Sequence, residues 1–113
     1  MQIKVSIQEF SKELPMPSTS TWPQGVWDVQ AFAHGSMSLV LFAPKHKDYQ
    51  THHDQDELYV VVKGSGTFVR DHATVNFSAG DALFVAAGVN HHFENFTEDL
   101  TLWAIFWGPK GGE

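Results

Sequence analysis

Cysteine is absent from this chain of 113 residues. Disulfide bonds and thiolate metal sites are therefore excluded, and any metal ion must be held by histidine, carboxylate or amide oxygen. Histidine, by contrast, is frequent: the chain has seven, of which most could still be ordinary surface residues.

Basic residues are also few, with seven lysines and arginines against thirteen acidic residues and a net charge of −6. This balance argues against nucleic acid or an anionic membrane as a partner. No apolar run of membrane-spanning length occurs, and the N-terminal residues alternate in polarity instead of forming the apolar segment of a signal peptide. We therefore expect a soluble, cytoplasmic protein.

Helical periodicity is scarce as well, and alternation of apolar and polar residues dominates. With 42% hydrophobic residues the chain can fill the core of one domain. Strand-like runs, separated by glycine, proline, aspartate and asparagine, recur along it: Met37 to Phe42, Glu57 to Val62, Gly66 to Arg70, Ala73 to Phe77, Ala82 to Val85, His91 to Asn95 and Leu100 to Phe106. This rhythm predicts an all-β antiparallel sandwich or small barrel.

Residues 1–36 are less regular than residues 37–113, which we assign to the barrel. Ile3, Val5 and Ile7 alternate with polar residues, which predicts an edge strand in an N-terminal extension that packs on the barrel. The run from Leu100 to Trp107 is apolar on both faces and needs cover on both. That cover is either the N-terminal segment or a second subunit, and we expect a homodimer.

Two segments carry residues suited to metal chemistry. His53 and Glu57 lead into one strand, and His91 opens another. Two imidazoles and a carboxylate form a ligand set for a divalent first-row metal with open positions. Alternation groups Glu57 with Tyr59, and His91 with Phe93, on inward faces. Five aromatic residues are candidates for lining a cavity, with core packing as the alternative for each: Tyr59, Phe84, Phe93, Trp103 and Phe106.

These segments resemble the two motifs of the cupin superfamily, in particular those of small single-domain bacterial cupins. Glu57 and Gly64 have the spacing of the first motif. The second motif is matched by four residues: Gly80, Gly88, His91 and Asn95. The resemblance covers about residues 37–113 and implies a double-stranded β-helix, or jelly roll, with a site in the mouth of the barrel.

The resemblance also implies the metal ligands, which are His53 (or His52), Glu57 and His91. Two departures from the family pattern occur. The first motif lacks its leading histidine, and Ala86 stands where the second motif has a turn proline. His52 and His53 are adjacent, so a regular strand points only one inward; we favour His53, and a bulge would admit both.

Other polar residues near these ligands leave alternatives open. Gln50 is either an additional ligand, through its carbonyl oxygen, or a loop residue bonded to the backbone. Asp54 and Asp56 flank His53 and are expected to be solvated. His92 should face outward by alternation.

The resulting hypothesis is a small cupin that binds a divalent transition metal (Fe, Mn, Ni or Zn) and a small-molecule ligand. As an enzyme it would be a dioxygenase or an isomerase of a small oxygenated organic molecule, with Tyr59 as the candidate catalytic hydrogen-bond donor. The alternative is a non-catalytic module that binds a small ligand or senses metal, or that works without metal. The fold alone does not choose between them.

Overall fold

The structure, a computed structural model, describes residues 3–113. Within this range it contains one short helix and eight strands: α1 (Ile7–Ser11), β1 (Asp28–His34), β2 (Met37–Phe42), β3 (Asp56–Lys63), β4 (Ser65–Arg70), β5 (Ala73–Ser78), β6 (Ala82–Val85), β7 (His91–Glu94) and β8 (Thr101–Trp107). No helix in residues 3–113 has the length and apolar character needed to cross a membrane.

The strands form two antiparallel sheets that face each other. One sheet has five strands in the order β1-β2-β8-β3-β6, and the other has three in the order β5-β4-β7. Strands adjacent in space are often distant in sequence, as where β8 lies between β2 and β3. The predicted all-β, single-domain sandwich is confirmed.

Alternation along β3 determines which side chains enter the core. Glu57, Tyr59 and Val61 are each only 1% exposed, whereas Leu58 and Val60 between them are half-buried. Opposite them on β8, Glu57 pairs with Phe106 and Tyr59 with Ala104. The inward face of β3 therefore carries a carboxylate and a phenol at the end of the core that becomes the site.

Phe93 lies at the centre of the aromatic core between the two sheets. Its ring centroid is 5.0 Å from that of Tyr59 and 4.9 Å from that of Phe68. The Tyr59 contact is edge-to-face, at an interplanar angle of 84°. Because Phe93 is two residues after His91 on β7, this packing also fixes the strand that carries the histidine.

The predicted N-terminal strand is wrong. Residues 1 and 2 lie outside the described residues, Ile3 is fully exposed, and the chain enters α1 at Ile7. Ile7, Phe10 and Leu14 are half-buried and are spaced as on one face of a helix. This segment therefore begins a helix and does not continue the strand that the alternation from Ile3 to Ile7 predicted. Residues 1–36 do supply an edge strand, but it is β1, which pairs with β2. The helix lies against β2.

Candidate metal centre

The two motif segments are tied together by backbone hydrogen bonds. The Gly88 amide donates to the His53 carbonyl at 2.8 Å, and the His91 amide donates to the Thr51 carbonyl at 2.7 Å. The loop before β3 therefore runs beside the turn before β7. This pairing brings residues from distant parts of the sequence to one point.

The turn that leads into β7 forms without the proline of the family motif. The Val89 amide donates to the Ala86 carbonyl at 3.2 Å, and Gly88 adopts a φ of +80°, a region that favours glycine. Two residues later, Nδ1 of His91 lies 3.0 Å from the carbonyl oxygen of Val89. Since a carbonyl only accepts, Nδ1 carries the proton, and Nε2 of the neutral ring offers its lone pair to the site.

The three predicted ligands converge. One potential ligand atom from each of His53, Glu57 and His91 lies within 4.8 Å of the others. Oε1 of Glu57 is 3.2 Å from Nε2 of His91 and 3.8 Å from Nε2 of His53. His52 is exposed and is not part of this cluster.

Oε1 of Glu57 is buried and has no hydrogen-bond partner among the described residues. Its nearest polar contact is Nε2 of neutral His91, which also presents a lone pair. Two such atoms at 3.2 Å repel each other unless a proton or a metal ion lies between them. Two ligands about 2.1 Å from one ion and at right angles to each other are about 3.0 Å apart. The observed separation therefore fits ligation of a single ion.

The two histidines differ in their electrostatic surroundings. Burial lowers the pKa of His53, and the charge of Glu57 only partly opposes this effect. Burial also lowers the pKa of His91, but the adjacent Glu57 carboxylate, the Val89 carbonyl and the charge of Asp48 favour the protonated ring and outweigh burial, so the pKa of His91 is raised. Thus His53 favours the neutral form, in which imidazole binds metals, and at His91 a proton would compete with any metal ion.

Tyr59 completes the inner wall beside the ligands. Its hydroxyl lies 3.0 Å from Oε1 of Gln50 and 3.1 Å from Nε2 of His91. Burial, followed by the charge of Glu57, raises the pKa of Tyr59 well above its usual value. The hydroxyl therefore keeps its proton, which it can donate to either neighbour.

The cluster opens into a cavity of about 250 Å³. Most of its wall is apolar, with a few polar groups close to the ligands. The lining residues come from residues 22–59 and from β8: Trp22, Asp28, Val40, Phe42, Gln50, His53, Glu57, Tyr59, Ala104 and Phe106.

A family model described as "Cupin domain" matches residues 38–107. The chain belongs to the cupin family. A curated relative, an uncharacterized protein of Streptomyces coelicolor, is 33% identical over 84 residues, which are 73% of this chain and 80% of the relative. The matched range contains both segments that carry His53, Glu57 and His91.

Solved structures share the fold of this cupin. A cupin 2 conserved barrel domain protein of Salinispora arenicola has a TM-score of 0.62 and 19% identity over 72% of this chain and 74% of that one. The DMSP lyase DddQ of Ruegeria pomeroyi has a TM-score of 0.63 and 18% identity over 72% of this chain. This cupin spans only 46% of the length of that lyase.

Two of the aromatic residues predicted to line the cavity of this cupin lie elsewhere. Phe84 is 46% exposed and packs beside Trp107, because Leu83 and Val85 on either side of it take the inward positions. Trp103 alternates with buried Leu102 and Ala104, and thus faces away from the cavity. Phe106 and Tyr59 lie in the cavity wall, and Phe93 lies in the core behind Tyr59.

Asp56 was expected to be solvated but is buried, with 7% exposure. Its carboxylate accepts from the amide of Ala87 at 2.9 Å and from the amide of Glu113 at 3.2 Å. It therefore holds the turn that precedes His91, whereas Asp54 is exposed as expected.

Sequence reasoning also missed two further carboxylates of this cupin. Asp28 lines the cavity, and burial raises its pKa. Asp48 is 5% exposed and is not among the residues that line the cavity, but its carboxylate accepts a hydrogen bond from Nε2 of Gln50, which is. Neither residue belongs to a motif, and their positions depend on strand pairing and loop packing that no local pattern reveals.

Proposed function

We propose that this cupin binds one divalent transition metal ion (Fe, Mn, Ni or Zn) through His53, Glu57 and His91. The observation that carries the proposal is the buried Oε1 atom of Glu57, which has no hydrogen-bond partner among the described residues and lies 3.2 Å from Nε2 of His91. A cation between these atoms satisfies both. Imidazole and carboxylate in this ratio suit these metals.

We further propose that a small oxygenated organic molecule occupies the cavity and is dioxygenated or isomerised there. The bound ion would supply Lewis acidity and a template for such a molecule. Tyr59 donates a hydrogen bond at the inner end, while Phe42, Val40 and Phe106 supply apolar contact and exclude water. Likeness to a DMSP lyase at 18% identity supports the fold and does not select a reaction.

A non-catalytic role in binding a small ligand or sensing metal is the second candidate. It is favoured by Thr51, which stands two residues before His53, where the family motif has its leading histidine. A metal-free variant of this role is favoured by the raised pKa of His91, because protonated His91 would pair with Glu57 without any metal. In both cases the cavity would serve recognition alone.

Metal content and binding test the proposal directly. Protein freed of metal by a chelator is titrated calorimetrically with Mn²⁺, Fe²⁺, Ni²⁺ and Zn²⁺, beside His91→Ala and its neighbour His92→Ala. Binding of one ion per chain that is lost in His91→Ala and kept in His92→Ala is expected, since His92 pairs at the surface with Glu94. Wild-type protein that binds none of the four ions overturns the metal site. Oxygen uptake by the iron or manganese form with candidate substrates separates a dioxygenase from the other functions.

We also propose a homodimer. The outward face of the five-stranded sheet leaves apolar side chains exposed, with Val62 at 41% and Phe84 at 46%. Such a face is suited to contact with a second copy of the chain. Light scattering at micromolar concentration should give twice the chain mass of 12.6 kDa, and Phe84→Asp should reduce it to one chain. A monomeric wild-type protein contradicts the proposal.

A further inference from the structure

Asp48 is a buried carboxylate with three backbone or amide donors. Its oxygens accept from the backbone amide of Gln50 at 3.0 Å, from the backbone amide of Phe93 at 2.9 Å and from Nε2 of Gln50 at 2.6 Å. The bond to Phe93 joins the loop to β7, two residues after His91. Asp48 is therefore held in place from both sides of the site.

This carboxylate determines the orientation of the Gln50 side chain. A carboxylate accepts hydrogen bonds and does not donate them, so the NH₂ group of Gln50 must face Asp48. The carbonyl oxygen, Oε1, is then turned toward the metal-ligand cluster. There it lies 3.1 Å from Nε2 of His53 and 3.0 Å from the hydroxyl of Tyr59.

The position of this oxygen matches that of a further metal ligand. Its distance from His53 Nε2 is close to the separation of Glu57 Oε1 from His91 Nε2, and both are near the roughly 3.0 Å expected for neighbouring ligands of one ion. An amide oxygen has two lone pairs, of which the Tyr59 hydroxyl uses one. The second lone pair of Oε1 is free to bind a cation if Nε2 of His53 is unprotonated and binds the same ion.

We propose that Gln50 is the fourth protein ligand of this metal site and that Asp48 is the residue that positions it. The inference rests on the proposed metal-binding function. It gives a physical account of the missing leading histidine, because a neutral oxygen takes the place of a third imidazole. The ligand set then contains two nitrogen and two oxygen atoms in place of three nitrogens and one oxygen.

This exchange should alter which ions the site prefers. Oxygen ligands suit manganese, whereas imidazole suits nickel, copper and zinc. Nickel and zinc bind nitrogen-rich sites more tightly than manganese does. With Gln50 as a ligand, this difference in affinity should be smaller than at a site with a third imidazole. Gln50→His, which returns an imidazole to this position, should tighten Ni²⁺ or Zn²⁺ binding more than Mn²⁺ binding.

The experiment compares Mn²⁺ affinity and the relaxation of water protons by bound Mn²⁺ in metal-free protein reloaded with the ion. Gln50→Leu removes the ligand, Asp48→Asn replaces one of the two acceptor oxygens that hold Gln50 and Phe93 with an NH₂ group, and Gln30→Leu is the control at an exposed position on β1. We expect Asp48→Asn to weaken Mn²⁺ binding roughly 10–100-fold, as loss of an outer-sphere partner does, Gln50→Leu to weaken it at least as much, and Gln30→Leu to leave it unchanged. Bound Mn²⁺ should relax water protons more strongly in Gln50→Leu, because one more water enters the coordination sphere.

A structural role for Gln50 would alter stability but would not add a water to the ion. The unfolding midpoint of each metal-free variant is therefore measured beside its affinity, and Gln50→Asn, which withdraws the oxygen by one methylene, serves if the leucine variant does not fold. Wild-type affinity and wild-type proton relaxation in the folded Gln50 variants overturn this inference and leave the three-ligand site standing. Wild-type protein that binds no divalent ion overturns the metal site itself.

Discussion

Nε2 of His91 lies 3.2 Å from Oε1 of Glu57, and both atoms are buried with a lone pair toward the other when His91 is neutral. Hydrogen bonding does not relieve this contact within the described residues, because Oε1 has no donor. While His91 is neutral and no cation is bound, the fold thus holds two mutually repelling acceptors together at a cost in stability. Such a cost is expected where a protein places two acceptors to bind a cation between them, as we propose for this site.

The substitution Glu57→Gln should distinguish the cost in stability of this contact from its contribution to metal binding. At pH 8, in the presence of a chelator, the new amide can donate to Nε2 of His91, so we expect the free energy of unfolding to rise by about 1 kcal/mol. Metal affinity should fall in the same variant, because the carboxylate charge is lost. Denaturant unfolding and calorimetric titration measure the two effects. A less stable metal-free variant at this pH would show that the contact is not repulsive in the native protein.

Much of the site could be predicted from the sequence because its determinants are local. Alternation along β3 places Glu57 and Tyr59 on one face, and the spacing of the motifs indicates His53 and His91. The same alternation places Trp103 and Phe106 on opposite faces of β8, so only Phe106 of the two can line the cavity. The homodimer and the cytoplasmic location stay predictions.

Other features depend on contacts that no local pattern encodes. Asp48 bonds to the amide of Phe93, 45 residues away, and its role appears only when the loop is placed against β7. The N-terminal alternation was too short to identify a strand, since Ile7 and Phe10 also fit a helix. Asp56 resembles its exposed neighbour Asp54 in sequence, and only the path of the turn and the C-terminus distinguishes them.

The choice between the adjacent histidines can be tested by a pair of substitutions. His53→Ala removes a proposed ligand, whereas His52→Ala removes an exposed side chain. We expect His53→Ala to weaken metal binding by more than the roughly 10–100-fold typical of outer-sphere partners, and His52→Ala to leave it nearly unchanged. Calorimetric titration with one ion measures both. Equal losses would indicate that a bulge admits both rings to the site.

Asp28 should make stability depend on pH in a defined direction. Burial raises the pKa of its carboxyl in the folded protein above the ordinary value of 3.8. The stability that this group contributes is complete below pH 3.8 and is lost as the pH rises through the folded-state pKa. Asp28→Asn, which stays neutral, should therefore be more stable than wild type at pH 7, and this advantage should shrink as the pH falls toward 3.8.

Unfolding by urea across this pH range, with chelator present, measures the difference between Asp28→Asn and wild type. Asp54→Asn is the control, since Asp54 is exposed and no such gain is expected. An advantage of Asp28→Asn that stays constant with pH would have to come from packing and not from the charge.

Substitutions of Asp56 and of its exposed neighbour Asp54 test whether Asp56 holds the turn before His91. Asp56→Ala leaves the amide of half-buried Ala87 and that of exposed Glu113 without their acceptor, and we expect a loss of about 1 kcal/mol, the low end for an unsatisfied group because water reaches both amides in part. Asp54→Ala removes only a surface contact with Lys110, with an N–O distance of 3.8 Å, and should change stability by at most about 0.5 kcal/mol. Since Ala87 precedes the Gly88 turn, Asp56→Ala should also weaken metal binding, although Asp56 is not a ligand. Denaturant unfolding and metal titration of the two variants give the comparison, and equal stability of both would mean that the Asp56 carboxylate does not hold the turn before His91.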